Sequence, residues 1–276
     1  MQIEIHLAAE DNVPLAFNYY YELSSALYQC LTKKECKMAE DLHDGSSKNR
    51  LKLFVTSPLN SEPHPKLVPD GSGLVFGKYI WMRFGSIVPE ILFGMSEGLL
   101  RKGELRVRDK SFRVQKIDMV KPPVFEREMT YRPFGQAGMI LCRYSRNGKI
   151  FFQFPDNPEK EIPDCGKLLA ENLRHKFLRL KEVRPDIFEN LLVCCGLSEK
   201  EVPKMEIGVE FLPLTKDEPY KTGIYYIKKV PARAFRAPVR IRAPEAIHKV
   251  AWSCGVGSQN SQGFGLLTIG KRGDET

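Results

Sequence analysis

The pattern of apolar and polar positions opens with alternation. Ile3, Ile5 and Leu7 are separated by polar residues, which predicts a half-buried strand over residues 2–8. A loop with Asp11, Asn12 and Pro14 follows, and then the period changes. Leu23, Ala26, Leu27 and Leu31 recur at helical spacing within residues 19–31. A second short helix is predicted over residues 34–43, ending before Gly45, and a strand over residues 51–57. Residues 73–86, rich in aromatic and β-branched side chains, predict another strand. Pro89 sits in the first turn of a helix over residues 88–100, whose apolar stripe is Ile91, Leu92, Met95, Leu99 and Leu100. Residues 105–107 and 112–120 return to strand.

That order is β-α-β-β-α-β with room for one extra strand, the ferredoxin-like pattern. Lys121-Pro122-Pro123 interrupts the ladder and marks a boundary. Beyond it, strands are predicted near residues 139–144 and 149–154, a helix over 164–183, strands near 205–212, 223–228 and 235–241, a short helix over 244–253 and a last strand over 264–269. The expectation is an α+β chain of two tandem ferredoxin-like (RRM-like, βαββαβ) domains, residues 1–121 and 122–276. No internal sequence repeat relates the halves, so the expectation rests on element order alone.

Composition agrees with a packed protein and adds a partner class. The chain has 276 residues, of which 42% are hydrophobic, enough for a sizeable core, and a formal net charge of +8. The surplus is uneven. Residues 228–249 carry seven basic residues against one acid, and residues 101–121 carry eight against three. Residues 156–218 carry fourteen acids against ten bases. Two basic blocks beside a mildly acidic one point to a polyanion. The seven cysteines include no C-x-x-C pair, so neither a zinc ribbon nor a redox motif is indicated, and free thiols in a reducing cytoplasm are expected. No charged region followed by an apolar run opens the chain, and no apolar stretch reaches the roughly 18 residues of a membrane helix. A cytoplasmic protein with no membrane partner is expected.

The sharpest local feature is Gly255-Val256-Gly257-Ser258-Gln259-Asn260-Ser261-Gln262-Gly263-Phe264-Gly265. Glycines at 255, 257, 263 and 265 permit positive φ and close backbone approach, so successive amides could face a phosphate, with Ser258, Gln259, Asn260 and Ser261 adding side-chain contacts. The plainer alternative is a long turn between two elements. A nucleotide-binding reading fits poorly, because the segment precedes a strand and contains no G-x-x-x-x-G-K-[ST]. Upstream, Arg233, Arg236, Arg240 and Arg242 favour a polyphosphate chain as ligand, and Arg240 and Arg242 share a face if extended.

Residues 255–265 resemble the glycine-rich signature near the C-terminus of the repeat-associated (RAMP) superfamily. The pattern G-V-G … N-S-x-G-F-G before an apolar strand is similar to that of the CRISPR repeat-cleaving endoribonucleases within it. Earlier segments agree and occur in the family's order: L-S-S-A-L-Y-Q-C-L over residues 23–31, Leu42-His43-Asp44, K-L-F-V-T-S over residues 52–57, and Ile87-Val88-Pro89-Glu90-Ile91. The resemblance implies a catalytic group of Tyr28, His43 and Lys52. Two departures stand out: Thr56 occupies a position that is often aromatic, and Lys48 lies nearer to His43 and rivals Lys52. The resemblance implies precursor CRISPR RNA as substrate, no metal and no cofactor. It leaves room for effector-complex subunits or a second copy of the chain as partners.

The chemistry fits those residue types. The 2′-OH of RNA attacks the adjacent phosphorus and expels the 5′-oxygen, leaving a 2′,3′-cyclic phosphate and a 5′-OH. A base takes the 2′ proton, an acid protonates the leaving oxygen and a cation offsets charge on the phosphorane. Histidine titrates near neutrality, whereas tyrosine is a poor base unless a cation stabilises its phenolate. His43 as acid, Tyr28 as base or positioner and Lys52 as the cation is one assignment; exchange of the His43 and Tyr28 roles is the other. Taken singly, Tyr28 reads as a core residue, Lys52 as an exposed lysine and His43 as a helix-end residue. The alternative function is a non-catalytic CRISPR RNA-binding subunit. A general RNA-recognition domain pair lacks its signature here, and a small-molecule enzyme using the glycine segment for a phosphorylated substrate is the remaining rival.

Overall fold

A computed structural model describes residues 1–32, 52–135, 137–155, 164–227 and 230–269. The first half contributes strands β1 (Gln2–Ala8), β2 (Val13–Ala16), β3 (Phe54–Thr56), β4 (Asn60–Glu62), β5 (Lys66–Leu67), β6 (Gly73–Phe76), β7 (Tyr79–Ser86), β8 (Glu104–Val107) and β9 (Lys110–Val120), with helices α1 (Tyr20–Tyr28) and α2 (Pro89–Lys102). Its main sheet is antiparallel in the order β3-β7-β1-β9-β8, with β4 also on β7. The alternating β1 is therefore an inner strand, between β7 and β9, and Ile3, Ile5 and Leu7 are buried with Leu23, Leu27, Ile91, Leu92 and Leu99 of the two helices. Residues 73–86, predicted as one strand, divide at Gly77: β6 joins a small sheet with β2 and β5, and β7 enters the main one. The helix predicted over residues 34–43 lies outside the described residues.

The second half repeats the plan with insertions. It comprises β10 (Glu128–Pro133), the hairpin β11 (Cys142–Arg146) and β12 (Lys149–Gln153), α3 (Cys165–Val183), α4 (Pro185–Cys194), β13 (Gly208–Phe211), the hairpin β14 (Lys221–Ile227) and β15 (Val230–Arg236), β16 (Val239–Arg242), α5 (Glu245–Cys254) and β17 (Leu267–Ile269). The sheet order is β13-β16-β10-β17. In both halves the first strand lies between the third and the fourth, with the second outside the third. This is the ferredoxin-like order, and it holds twice.

Three sequence expectations are corrected here. The first strand of the second sheet is β10, not residues 139–144. Charged positions and flanking prolines hid it, although Met129 and Tyr131 alternate with polar neighbours and Tyr131 is fully buried. Residues 142–153 form a separate hairpin instead, and Met139 and Ile140 before it make isolated bridges to Phe264 and Phe235. The segment predicted as one strand over residues 235–241 breaks at Ala237-Pro238. Arg236 thus ends one hairpin, while Arg240 and Arg242 lie on the main sheet.

The halves pack on one another through polar and apolar contacts. The Gln2 side chain donates to the Trp252 carbonyl at 2.8 Å and the Leu267 carbonyl at 3.2 Å. The Met1 amine donates to Ser253 Oγ at 2.6 Å. Val55 clusters with Phe134 and Leu266, and the Arg83 guanidinium lies 4.2 Å from the centre of the Phe134 ring. The described residues contain no helix long and apolar enough to cross a membrane.

Candidate RNA-binding and cleavage site

Two of the three residues implied as catalytic meet. Tyr28 is the last residue of α1, and Lys52 lies two residues before the start of β3. The Lys52 Nζ lies 4.7 Å from the centre of the Tyr28 ring and 5.5 Å from that of Phe54. The Tyr28 and Phe54 rings meet edge to face, 5.6 Å between centres at 75°. Phe54 is itself buried and stacks on Phe84. A rigid aromatic floor thus fixes one side of Tyr28, and the ammonium rests on ring faces, a cation–π placement. His43 and its neighbour Lys48 lie outside the described residues. Ser57, at the end of the lysine-led segment, is fully buried: its hydroxyl accepts from the Arg83 amide at 2.9 Å and donates to the Pro58 carbonyl at 2.7 Å.

The glycine-rich segment shares a cleft with Lys52. It leaves α5, makes a single 3-10 turn over Asn260–Gln262 against α1 and β3, and enters β17. The phosphate-cradle expectation needs correction in part, because several loop amides are already occupied. The Val256 amide bonds the Gly265 carbonyl at 2.9 Å, the Ser258 amide the Leu141 carbonyl at 2.7 Å and the Gly265 amide the Met139 carbonyl at 2.7 Å. The glycines serve a crossing of the loop over itself. At Gly265, φ is +77° and an added Cβ would lie 1.9 Å from the Val256 carbonyl oxygen; at Gly257, φ is +72° and it would lie 2.5 Å from that of Leu141. Gly255 and Gly263 are also buried at positive φ. Asn260 and Ser261 are buried, and Asn260 Nδ2 ties the Val256 and Phe264 carbonyls together. Among residues 255–265 only Ser258, Gln259 and Gln262 reach the surface. Gln259 holds a left-handed φ of 57°.

Between Lys52 and the loop runs a cleft of about 430 Å³. Lys52 enters it from the first half; Arg143, Tyr144, His175, Gly257, Ser258 and Gln259 line it from the second. The sequence did not single out Arg143, Tyr144 or His175. They lie on β11 and α3, and only the tertiary fold brings them opposite Lys52. The one sequence signal for Tyr144 is an aromatic register in the hairpin, where it stacks on Phe151 with ring centres 5.3 Å apart. Arg143 and His175 are exposed, so one wall of the cleft offers a cation, an imidazole and an aromatic face.

None of the four predicted arginines lines this cleft. Arg233 is exposed and packs its guanidinium 4.3 Å from the Phe154 ring centre. Arg236 is half-buried and bonds the Gly135 and Gly138 carbonyls, clamping the turn after β10; burial pulls its pKa below the usual arginine range. Arg240 and Arg242 do share a face of β16. There Arg242 bonds Glu128 through Nε at 2.9 Å and through a terminal nitrogen at 2.7 Å, and Arg240 bonds Glu210 at 3.2 Å. The Arg242 partnership holds the Glu128 carboxyl below its ordinary range. Among the described residues, no three His, Cys, Asp or Glu side chains converge as a metal site would need.

Comparison with known proteins covers nearly the whole chain. The family model for the N-terminal part of the CRISPR-associated protein Cas6 matches residues 12–118, and that for its C-terminal part matches residues 140–269. The CRISPR-associated endoribonuclease Cas6 of Pyrococcus furiosus is 25% identical over 276 residues, covering 98% of this chain and 90% of its own. The CRISPR-associated endoribonuclease Cas6 1 of Methanocaldococcus jannaschii is 24% identical over 271 residues, covering 97% and 92%. Among solved structures, a RAMP protein described as binding different RNA substrates superposes with a TM-score of 0.70 at 20% identity, over 98% of this chain and 100% of that one. A Cas6-related protein from Pyrococcus furiosus gives 0.70 at 20% identity, over 99% of both chains. At such identity the superpositions speak for the fold, and the two family models speak for descent. The chain belongs to the Cas6 family of CRISPR-associated proteins.

Proposed function

We propose that this protein is an endoribonuclease that binds CRISPR repeat RNA and cleaves it within precursor CRISPR RNA, with no metal in the chemical step. The observation that carries the reading is the meeting of Lys52 and Tyr28 beside a cleft whose opposite wall is the glycine-rich loop. Its two curated relatives are named endoribonucleases.

In this reading the scissile phosphate enters the cleft beside Lys52. The 2′-oxygen of the upstream nucleotide attacks phosphorus and forms the cyclic phosphate as the bond to the 5′-oxygen breaks. Tyr28 and His43 share the two proton transfers: one takes the 2′ proton or aligns its hydroxyl, the other delivers a proton to the departing 5′-oxygen. Lys52 offsets the charge that grows on the phosphorane, in a cleft where water screens it less than in bulk. The flanking backbone passes Arg143, His175, Ser258 and Gln259, with Tyr144 as a stacking face. The arginine face of β16 and Arg233 extend the basic surface beyond the cleft. We assign the boundary between the two units to Lys121-Pro122, between β9 and β10, and the protein to the cytoplasm.

The test is cleavage of the host's CRISPR repeat RNA in EDTA, beside copies that carry a single 2′-deoxy nucleotide at each position in turn. One deoxy position that abolishes cutting, with a 2′,3′-cyclic phosphate on the upstream fragment, is the expected result. A 3′-hydroxyl on that fragment would refute the mechanism. Tight binding with no cutting of any substrate would replace it with the reading of a CRISPR RNA-binding subunit.

A further inference from the structure

Lys176 is out of place by its sequence pattern. It lies on α3 within the stripe formed by Leu169, Leu173, Phe177 and Leu180, and like them it is fully buried. An unpaired ammonium among such neighbours would be expensive. Its three N–H donors are matched by three acceptors, all in or next to the glycine-rich loop: the Gly255 carbonyl at 2.7 Å, Asn260 Oδ1 at 2.8 Å and the Cys254 carbonyl at 3.3 Å. Asn260 passes the grip onward through Nδ2, to the Val256 carbonyl at 2.9 Å and the Phe264 carbonyl at 3.0 Å. The lysine thus holds both limbs of the loop from below. Between the held points lie Ser258 and Gln259, which line the cleft, and Gln259 keeps a left-handed backbone that its surroundings must impose.

We propose that Lys176 is a positioning residue for RNA binding: its buried ammonium grips the glycine-rich loop from beneath, holds Ser258 and Gln259 to the cleft and lends positive charge to the phosphate that docks above them. The proposal rests on the RNA reading of that cleft. A buried charge acts across the loop with little screening by salt, unlike the exposed arginines of β16.

The grip depends on the proton. Burial brings Lys176 down to about 7. As pH rises past that value the ammonium loses its charge and one of its three donors. Cys254, on α5, faces it; burial pushes that thiol up to about 11, and the Met1 amine, lowered by burial to about 6, also acts on Cys254. Lys52 and His175 line the cleft on the loop's other side. A phosphate seated over the loop favours the charged lysine, so RNA binding above neutral pH takes up a proton.

The experiment is calorimetric titration at pH 8 with 2′-deoxy-blocked repeat RNA, in two buffers of different ionisation enthalpy, for wild type, Lys176→Met and His175→Gln. Wild type is expected to take up protons on binding, and His175→Gln to keep most of that uptake. Lys176→Met is expected to lose it and to bind at least ~10-fold more weakly, the scale of one lost charged contact. Lys176→Met that matches wild type in affinity overturns the role of the lysine and leaves the RNA reading intact; tighter binding by wild type without proton uptake keeps the grip and overturns only its dependence on pH. Wild type that binds no RNA overturns both. Should Lys176→Met fail to fold, Lys176→Gln, which keeps a donor for the loop but no charge, takes its place, with the same loss of affinity expected and equal affinity overturning the role.

Discussion

At the scale of single residues, the site is built from ordinary side chains in an unusual meeting. Tyr28 ends an amphipathic helix and Lys52 alternates with Leu51 and Leu53, so each alone reads as structural. Only the family resemblance singled them out; the fold brings the Lys52 ammonium to 4.7 Å from the centre of the Tyr28 ring. In the proposed mechanism, Lys52→Ala removes a charge that matters most when the phosphorane forms. Single-turnover cleavage is expected to slow by at least ~100-fold, while RNA affinity changes by about threefold or less. An equal loss in both would make Lys52 a binding residue only. His175, Arg143 and Tyr144 were not legible, because nothing local marks a histidine on a helix or a tyrosine in a hairpin as facing a lysine some ninety to a hundred and twenty residues earlier. His175→Ala is expected to weaken RNA binding a few-fold, as the loss of one side chain from the cleft wall. Unchanged binding would remove His175 from the RNA path.

At the scale of elements, the glycine-rich loop was legible as a feature and misread in its detail. Its glycines announced close backbone approach, but the partner in that approach is protein: the loop crosses itself and docks on residues 139–141. Such a partner comes from a distant segment, just before β11, that no local pattern names. Gly265→Ala places a Cβ 1.9 Å from the Val256 carbonyl oxygen at a φ of +77°. A loss of about 2–4 kcal/mol in unfolding free energy is expected by urea denaturation; a loss within about 0.5 kcal/mol would mean that the crossing relaxes freely. The arginine face of β16 was read correctly as one face and incompletely as charge, because Glu128 and Glu210 come from neighbouring strands. An arginine that must leave a carboxylate to meet phosphate returns less than a full contact. Replacing Arg240 and Arg242 together with alanine is therefore expected to weaken RNA binding and to lower the salt slope by less than the roughly two units of two unpaired phosphate contacts. An unchanged slope would remove this face from the RNA path.

At the scale of the whole molecule, element order carried the tandem ferredoxin-like plan, because period-2 and helical spacings alternate in the right sequence. Insertions obscured the rest: a hairpin sits where the second half's first strand was expected, and β10 was hidden by prolines and charge. What the order could not reveal is how firmly the halves are joined. The Met1 amine donates to Ser86 and Ser253, and Lys176 reaches from α3 to the loop that meets the first half. Both are amines buried on folding, and burial lowers Met1 from 8.0 to about 6 and Lys176 from 10.5 to about 7. The sign follows from proton counting. Between pH 6 and 8 the unfolded chain holds more protons at Met1 than the folded one, and between pH 7 and 10.5 it holds more at Lys176. Where the unfolded state binds more protons, stability rises with pH. The RNA-free protein is thus expected to gain stability from these two groups as pH rises from 6 to 9, the range in which RNA affinity weakens through loss of the Lys176 charge. Urea midpoints across that range, for wild type and Lys176→Met, check the claim. The variant should keep only the Met1 contribution, complete by about pH 8. Two parallel curves would show that Lys176 binds its proton equally in both states, and that the strength of its grip on the loop does not vary with pH.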